Sequence, residues 1–197
     1  MPFNNILFRE SMKYGLYYAA ISIALSLITW GAKLQETLNL TGNFFLGITS
    51  AIIYVLILIY FTKKFRDNEL EGSISFRQAF QIGLYTVIFS SIILALYNFI
   101  FNSWIDPGYQ QRILDSLPGK TYNMLSKAPG MTEELIDESL KTFENMKAPT
   151  PVQTMFSSLE SGLLGGLFFS LISAAIVKKN KAKNGFEKAM SEIIDAE

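Results

Sequence analysis

The chain has 197 residues, half of them hydrophobic and only 17% charged, whereas soluble domains carry about 25% charged residues. Its 17 basic and 17 acidic residues cancel, so the net charge gives no indication of a nucleic-acid partner. The absence of cysteine and histidine excludes thiol catalysis, disulfide bonds and the usual zinc ligand sets.

Four segments of the sequence contain no charged residue: 14–32, 42–62, 79–105 and 161–177. About 20 apolar residues in a helix cross the hydrocarbon core of a bilayer, which is about 30 Å thick. The pattern therefore predicts an all-α polytopic membrane protein with transmembrane helices at about 13–33, 42–62, 76–105 and 152–178. Residues 1–197 then form a single membrane domain.

The first of these segments is predicted to be a retained span. A cleavable signal has an apolar core of about 7–15 residues followed by small residues at the cleavage site. Here the apolar segment is longer, and Trp30 stands where a small side chain would be needed.

The distribution of basic residues predicts the orientation of the chain. Residues 1–13, the connection 63–78 and the segment after residue 177 together hold eleven of the 17 lysines and arginines. Because basic segments stay in the cytoplasm, we expect both termini inside the cell and the loop 106–151 outside. The chain is thus expected in the bacterial cytoplasmic (inner) membrane, as a multi-pass protein.

The connection between the second and third spans contains two signals of local structure. Gly72 is expected to end any helix that continues out of the second span. Ser75 with Gln78 has the form of a capping box, in which two side chains bond to free amides at a helix start. The third helix is therefore predicted to begin near Phe76.

Several short motifs of this chain resemble those of a known family. They are Tyr14-Gly15 at the first span, Arg66-Asp67, Gly72 and Ser75-Phe76 in the second connection, and Asp106-Pro107-Gly108-Tyr109 after the third span. The chain resembles the uncharacterised bacterial membrane family numbered four-one-nine-nine among the domains of unknown function. The resemblance covers nearly the whole chain and implies four spans with a long external loop, but no activity or catalytic residue.

The external loop 106–151 is predicted to contain two short helices. The first is expected to begin at Pro107 and end at Pro118–Gly119, and the second to begin after an N-cap at Thr132. Met131 and Ile136 are spaced for a hydrophobic staple around that cap. Helices this short need a surface to pack on, so the loop either caps the bundle or forms a site for a ligand or partner.

The second loop helix carries four acidic residues, Glu133, Glu134, Asp137 and Glu138. They lack the alternating spacing of a dedicated Ca²⁺ loop. We therefore interpret them as a solvated helix face and expect no metal site.

Small residues in the spans predict where helices approach closely. The fourth span has Gly162, Gly166, Ser170 and Ala174 at intervals of four, with Gly165 alongside. These residues are predicted to mediate helix packing, either within the bundle or at a homodimer face. Gly47 and Ala51 mark a shorter seam on the second span.

Charged side chains occur only near the ends of the predicted spans and not in the segments 14–32, 42–62, 79–105 and 161–177, which argues against proton- or ion-coupled transport. The candidate polar site consists of Asn98 and Asn102, on one face of the third span, and Glu160 at the outer boundary of the fourth. We expect the two asparagines to bond to backbone of the external loop.

The segment 179–197 is predicted to be a cytoplasmic tail with a basic start and a short amphipathic helix. Lys178, Lys179, Lys181 and Lys183 either contact lipid headgroups or serve as a stop-transfer anchor.

These features predict a non-catalytic membrane protein without a cofactor, because the chain lacks phosphate-binding and nucleophile motifs. A scaffold, anchor or accessory subunit is the first hypothesis, with the bilayer and a protein partner or a second copy as its partners. A passive channel or uncoupled carrier for a small neutral solute is the alternative.

Overall fold

The computed structural model describes residues 3–179 of the chain. Within that range it contains helices and no named strand, so the prediction of an all-helical protein is confirmed for these residues. The α-helices are α1 (Phe3–Gly31), α2 (Leu34–Thr37), α3 (Leu40–Glu69), α4 (Phe76–Ile100), α5 (Tyr109–Leu125), α6 (Glu133–Glu144) and α7 (Pro151–Val177). A π-helical turn, Phe101–Ile105, extends α4.

Four of these helices are long and apolar enough to cross a membrane: α1, α3, α4 with its π-helical turn, and α7. They alternate in direction and define two ends of the bundle. The terminal end holds Phe3, the turn between α3 and α4, and Lys179. The loop end holds α2, α5 and α6.

The apolar core lies in the half of the bundle next to the terminal end. All four buried residues of α3, Leu58, Phe61, Thr62 and Phe65, belong to the second half of that helix. Leu58, Phe61 and Phe65 pack with Tyr14, Ile82 and Val177, among others, in one cluster. The first half of α3 has no buried residue, so space remains between it and the other helices near the loop end.

The closest helix pair is α4 with α7. A Cβ built on Gly166 would lie 1.8 Å from Val87 Cγ1, and one on Gly162 would lie 2.6 Å from Ser91 Oγ. Only glycine fits at these positions, because real Cβ atoms do not approach other atoms so closely. Glycine thus lets the two backbones approach closely, as expected for helices that associate without a hydrophobic driving force.

Helix ends follow the sequence signals closely. The capping box of Ser75 and Gln78 is present at the start of α4, which begins at Phe76 as predicted. Gly72 adopts φ +79° after the end of α3, a left-handed conformation that glycine accommodates. Thr150 and Gln153 form a second capping box at the start of α7, which the sequence analysis did not identify.

The terminal end is closed by contacts between chain segments far apart in sequence. The backbones of Ile74 and Lys179 exchange two hydrogen bonds of 2.8 Å. Arg66 Nη1 donates to the carbonyl oxygen of Val177 at 3.4 Å, at the last turn of α7. A cation at a helix C-terminus is favourable because the free carbonyls there carry partial negative charge.

The outward surface of the four long helices is apolar. Large side chains such as Ile28, Leu56, Leu96 and Leu164 are exposed. Soluble monomers rarely expose contiguous apolar surface of this kind, whereas lipid would cover it.

The external loop departs from its prediction in two places. The expected end of its first helix at Pro118–Gly119 is wrong, since α5 continues through Pro118 to Leu125. A proline inside a helix removes one backbone hydrogen bond, but Lys120, beyond it, donates to the carbonyl oxygen of Gln35 at 2.6 Å and holds the helix on its neighbour. Pro107 precedes α5, in the turn, rather than opening the helix.

The second loop helix, α6, begins after the predicted N-cap, where the side chain of Thr132 accepts from the Leu135 backbone. Ile136 is buried, whereas Leu135 is exposed and does not belong to the packed face. Helix α6 packs on α5, and α5 in turn contacts α2 and α3.

Candidate functional site

A polar cavity of about 340 Å³ lies inside the bundle between α1, α3, α4 and α7; we call it the bundle cavity. Its walls are rich in hydroxyl and amide groups, and glycines of α7 complete them. The polar lining residues are Tyr18, Ser22, Ser26, Tyr54, Ser90, Ser91, Tyr97, Asn98, Ser158 and Ser161.

Two further cavities adjoin the bundle cavity on the side of the loop end. The side cavity, of about 470 Å³, lies between α1, α3 and α5. The outer chamber, of about 170 Å³, lies where α1 and the π-helical turn meet the start of α5. Ser26 lines all three spaces, so they are neighbours, and α5 of the loop end lines two of them.

The half of the bundle next to the terminal end contains the buried core. Tyr14, Leu58, Phe65 and Ile82, each at most 1% exposed, lie there.

A network of charged and polar groups covers the outer chamber, and we call it the latch: Trp30, Glu36, Asp106 and Arg112. Trp30 Nε1 donates to Asp106 Oδ2 at 2.9 Å, and Arg112 Nη1 donates to Asp106 Oδ1 at 3.0 Å. The Arg112 Nη2 group also donates to Glu36 Oε1 at 3.2 Å. One guanidinium thus joins α2, α5 and the turn after the third long helix.

Hydrogen bonds within the latch favour the charged forms of Asp106 and Arg112. The hydrogen bond from Arg112 lowers the pKa of Asp106, and the bond from Trp30 adds to this effect. The same bonds from Asp106 and Glu36 raise the pKa of Arg112. The carboxylate of Asp106 and the guanidinium of Arg112 therefore stay ionised at neutral pH.

Tyr109 and Lys120 fasten α5 to the segment between α1 and α3. The hydroxyl of Tyr109 donates to Gln35 Oε1 at 2.5 Å, and Lys120 Nζ donates to the Gln35 carbonyl oxygen. Burial raises the pKa of Tyr109 and lowers the pKa of Lys120, since it disfavours the charged form of each group.

Aromatic rings pack against Trp30 of the latch and against Tyr109 of α5. The ring of Phe101 lies 5.6 Å from Trp30, 5.8 Å from Tyr97 and 5.5 Å from Tyr109, measured between centroids. Phe101 begins the π-helical turn, and such turns often occur at functional sites. The turn therefore places an aromatic contact and Asn102 beneath the latch.

The two predicted asparagines line the cavities but do not bond to loop backbone, so that expectation was wrong. Asn98 Nδ2 donates to Leu94 O and to Ser158 Oγ, both at 2.9 Å, and so joins α4 to α7. Asn102 Nδ2 donates to Asn98 O at 2.8 Å. Asn102 Oδ1 is buried without a hydrogen-bond partner.

Glu160, the third residue of the predicted polar site, is exposed on α7. It does not line any of the three cavities, and it makes no ion pair with a described residue. The structure thus separates it from the two asparagines.

The structure places the predicted small residues of α7 in two different environments. Gly162, Gly166, Ser170 and Ala174 lie in the contact with the other helices of the bundle. Gly165 has no atom within 4 Å of an added Cβ; like Gly162 and Gly166 it lines the bundle cavity, but without their close contact to α4. Gly47 likewise has no close neighbour, so the expected seam with Ala51 is not formed within the chain.

The predicted lysines are only partly described. Lys178 and Lys179 are exposed at the terminal end, whereas Lys181, Lys183 and the predicted amphipathic helix lie outside the described residues. The acidic residues of α6 are exposed, and the described residues contain no group of three that could hold a metal ion.

Two features of the structure were missed by sequence reasoning. Glu10, in α1, is buried between Arg9 and Lys13, with oxygen–nitrogen distances of 3.2 Å to each. Ser22 and Ser26 of α1 line the bundle cavity. The signal for them was available, because hydroxyls at intervals of four on an apolar helix mark one polar face.

The hydroxyl and amide groups that line the cavities can bind a ligand through hydrogen bonds. Hydroxyls donate and accept, and amides do both through separate atoms. Lys120 is the cation of the side cavity, and it is engaged with Gln35. The arrangement suits an uncharged, hydrogen-bonding molecule.

Within residues 3–179, four helices are long and apolar enough to cross a membrane, as in a multi-pass membrane protein, and the bundle cavity lies between them. It belongs to the family described as Protein of unknown function (DUF4199), whose model matches residues 13–179. The family resemblance of the sequence motifs is therefore confirmed. No curated protein and no solved structure matches the chain.

Proposed function

We propose that this chain is a non-catalytic protein of the bacterial cytoplasmic membrane that takes up a small neutral solute through its loop-end cavities. One observation carries the proposal: three cavities share Ser26, and hydroxyl and amide groups stand among the apolar side chains that line the two larger ones. A pocket of apolar character with a few convergent polar groups is the usual form of a small-molecule site.

The proposed orientation places the terminal end in the cytoplasm and the cavities on the outer side. The basic residues support it, because Lys63, Lys64, Arg66, Lys178 and Lys179 all belong to the terminal end. Cytoplasmic segments carry such an excess of lysine and arginine.

An uncoupled carrier agrees with the geometry better than an open channel. The core around Leu58 and Phe65 fills the half of the bundle next to the terminal end, so a solute can cross only if helices move. The first half of α3 has no buried residue, which makes this helix the candidate for that motion. The bundle cavity has no acidic or basic lining residue to couple transport to protons.

Filling the bundle cavity should stop uptake without unfolding the protein. Gly165→Leu places a side chain in the cavity, where an added Cβ meets no atom within 4 Å. We expect exchange of labelled glycerol and butanamide in proteoliposomes to fall by about tenfold or more, equivalent to about 1.4 kcal/mol of lost binding.

The matched control is Ser157→Leu, which adds a leucine at an exposed position of the same helix. It should exchange both solutes like the original protein, and neither protein should pass sodium ions. Equal exchange in the Gly165→Leu and Ser157→Leu proteins would contradict the proposed path.

A scaffold role is the second candidate, and the position of α6 favours it. This helix packs on α5 and exposes Glu133, Glu134, Asp137 and Glu138 to the surroundings. If vesicles exchange no neutral solute while one protein partner is recovered repeatedly from detergent, the scaffold role is the better account.

A further inference from the structure

We infer that the outer chamber recognises the N–H or O–H groups of its solute, and that Asn102 Oδ1 is the acceptor that determines this preference. The inference rests on the proposed uptake of a neutral solute and names its chemical class: small amides and alcohols that donate hydrogen bonds. It identifies Asn102 as a specificity-determining residue.

The orientation of the Asn102 amide is fixed by its neighbour. Its Nδ2 donates to the carbonyl oxygen of Asn98 at 2.8 Å. A carbonyl oxygen can only accept, so the nitrogen must face it and the oxygen must point away. The free end of the side chain is therefore an acceptor.

That acceptor is buried and has no partner within the protein. Asn102 is 3% exposed, and its Oδ1 makes no hydrogen bond. Leaving a buried acceptor unpaired costs free energy, and buried polar groups are nearly always bonded. Oδ1 itself has less than 1 Å² of accessible surface, so a donor that enters the chamber reaches it only after a small shift of the Asn102 side chain, and the bond formed then would restore this loss.

The side-chain amide of Asn43, in the adjoining side cavity, also has a bonded nitrogen and an unpaired oxygen. Asn43 Nδ2 donates to the carbonyl oxygens of Gln35 and Leu38 at 3.2 and 3.1 Å. Its Oδ1 is also buried without a partner. Asn43 and Asn102 thus supply one free acceptor each to two spaces that share Ser26, Thr29 and Gln35.

The charged groups near the outer chamber and the volume of that chamber narrow the class of solute that can bind. The carboxylate of Asp106 is occupied by Trp30 and Arg112, so it offers no free charge to a cation. The chamber volume of about 170 Å³ is close to the roughly 150 Å³ of a protein cavity that binds benzene. A neutral molecule of that size is the expected ligand.

Two isomers test the inference directly: butanamide, which has N–H donors, and N,N-dimethylacetamide, which has none. Trp30 lines the outer chamber and becomes the sole tryptophan in a Trp104→Phe background, because the chain has two tryptophans. Its fluorescence then reports binding in detergent. We expect butanamide to bind about tenfold more tightly than its isomer, equivalent to about 1.4 kcal/mol.

Asn102→Leu should remove this preference, so that both isomers bind with similar affinity. The control Asn123→Leu makes the same chemical change at an exposed position of α5 and should keep the preference. The isomer comparison with Asn102 intact decides the question even if Asn102→Leu does not fold.

Equal binding of the isomers would overturn the role of Asn102 and leave neutral-solute uptake standing. No fluorescence response to either isomer would overturn binding in the outer chamber. Solute exchange in vesicles tests the proposed uptake separately, because exchange can be present or absent whatever the binding of the two isomers shows.

Discussion

Gly166→Leu should abolish the folded, monodisperse protein, whereas Gly165→Leu, one residue away, should not. An added Cβ at Gly166 would lie 1.8 Å from Val87 Cγ1 and 2.8 Å from Val87 Cβ. Valine has one strongly preferred rotamer in a helix, so it cannot turn away without strain. Forcing extra carbon atoms into a packed core costs about 1–3 kcal/mol or more, against a total stability of about 5–15 kcal/mol.

The measurement is size-exclusion chromatography with thermal unfolding in detergent. We expect Gly166→Leu to aggregate, and Gly165→Leu to elute as the original protein does. A Gly166→Ala variant should unfold at lower temperature, and adding Val87→Gly should restore part of the loss because it removes the atoms in the way. Equal stability of the two leucine variants would show that α4 and α7 do not pack as described.

Leu58→Ala should destabilise the protein strongly, whereas Leu56→Ala should have little effect. Leu58 is 0% exposed in the core near the terminal end, whereas Leu56, on the same helix, is 58% exposed. Truncating a buried leucine costs about 2–5 kcal/mol in water. In lipid the transfer part shrinks, because the surroundings are apolar, and we expect about 2 kcal/mol from the cavity left behind.

Thermal unfolding of the two alanine variants in one detergent measures this difference. We expect the larger loss of stability for Leu58→Ala because α3 packs on the bundle through its second half, where the buried residues lie. These are Leu58, Phe61, Thr62 and Phe65. A large loss for Leu56→Ala, or no loss for Leu58→Ala, would mean that α3 is held elsewhere along its length.

The long helices and their starts were predictable from sequence because each depends on local information. A long segment without charged residues identifies a membrane-spanning helix. The capping box of Ser75 and Gln78 involves residues only three positions apart. The orientation of the chain in the membrane was predicted from the number of basic residues in each connecting segment, and it stays a prediction.

The cavity was not predictable, because it depends on which helix faces which. Gly165 and Gly166 are adjacent glycines on one helix, yet an added Cβ would meet open space at Gly165 and Val87 at Gly166. Periodicity identifies residues on a shared face but not the partner of that face. Asn98 and Asn102 were recognised as polar candidates, while their bonding to α4 and α7 became visible only in the structure.

The latch was hidden for the same reason. Trp30 and Asp106 are 76 positions apart, as are Glu36 and Arg112. The proline rule also failed at Pro118, where contacts between α5 and its neighbours outweigh the lost backbone bond. Tertiary contacts of this kind override local propensity.

The central claim is that four helices cross the membrane and hold the cavities toward the outside, and cysteine labelling on intact cells tests it most directly. The chain has no native cysteine, so Ser139→Cys in α6 and Asn68→Cys near the end of α3 can each be labelled without background. With an impermeant maleimide, we expect Ser139→Cys to react on intact cells and Asn68→Cys to react only after the cells are opened. Labelling of Asn68→Cys on intact cells, or recovery of the chain in the soluble fraction, would contradict the account.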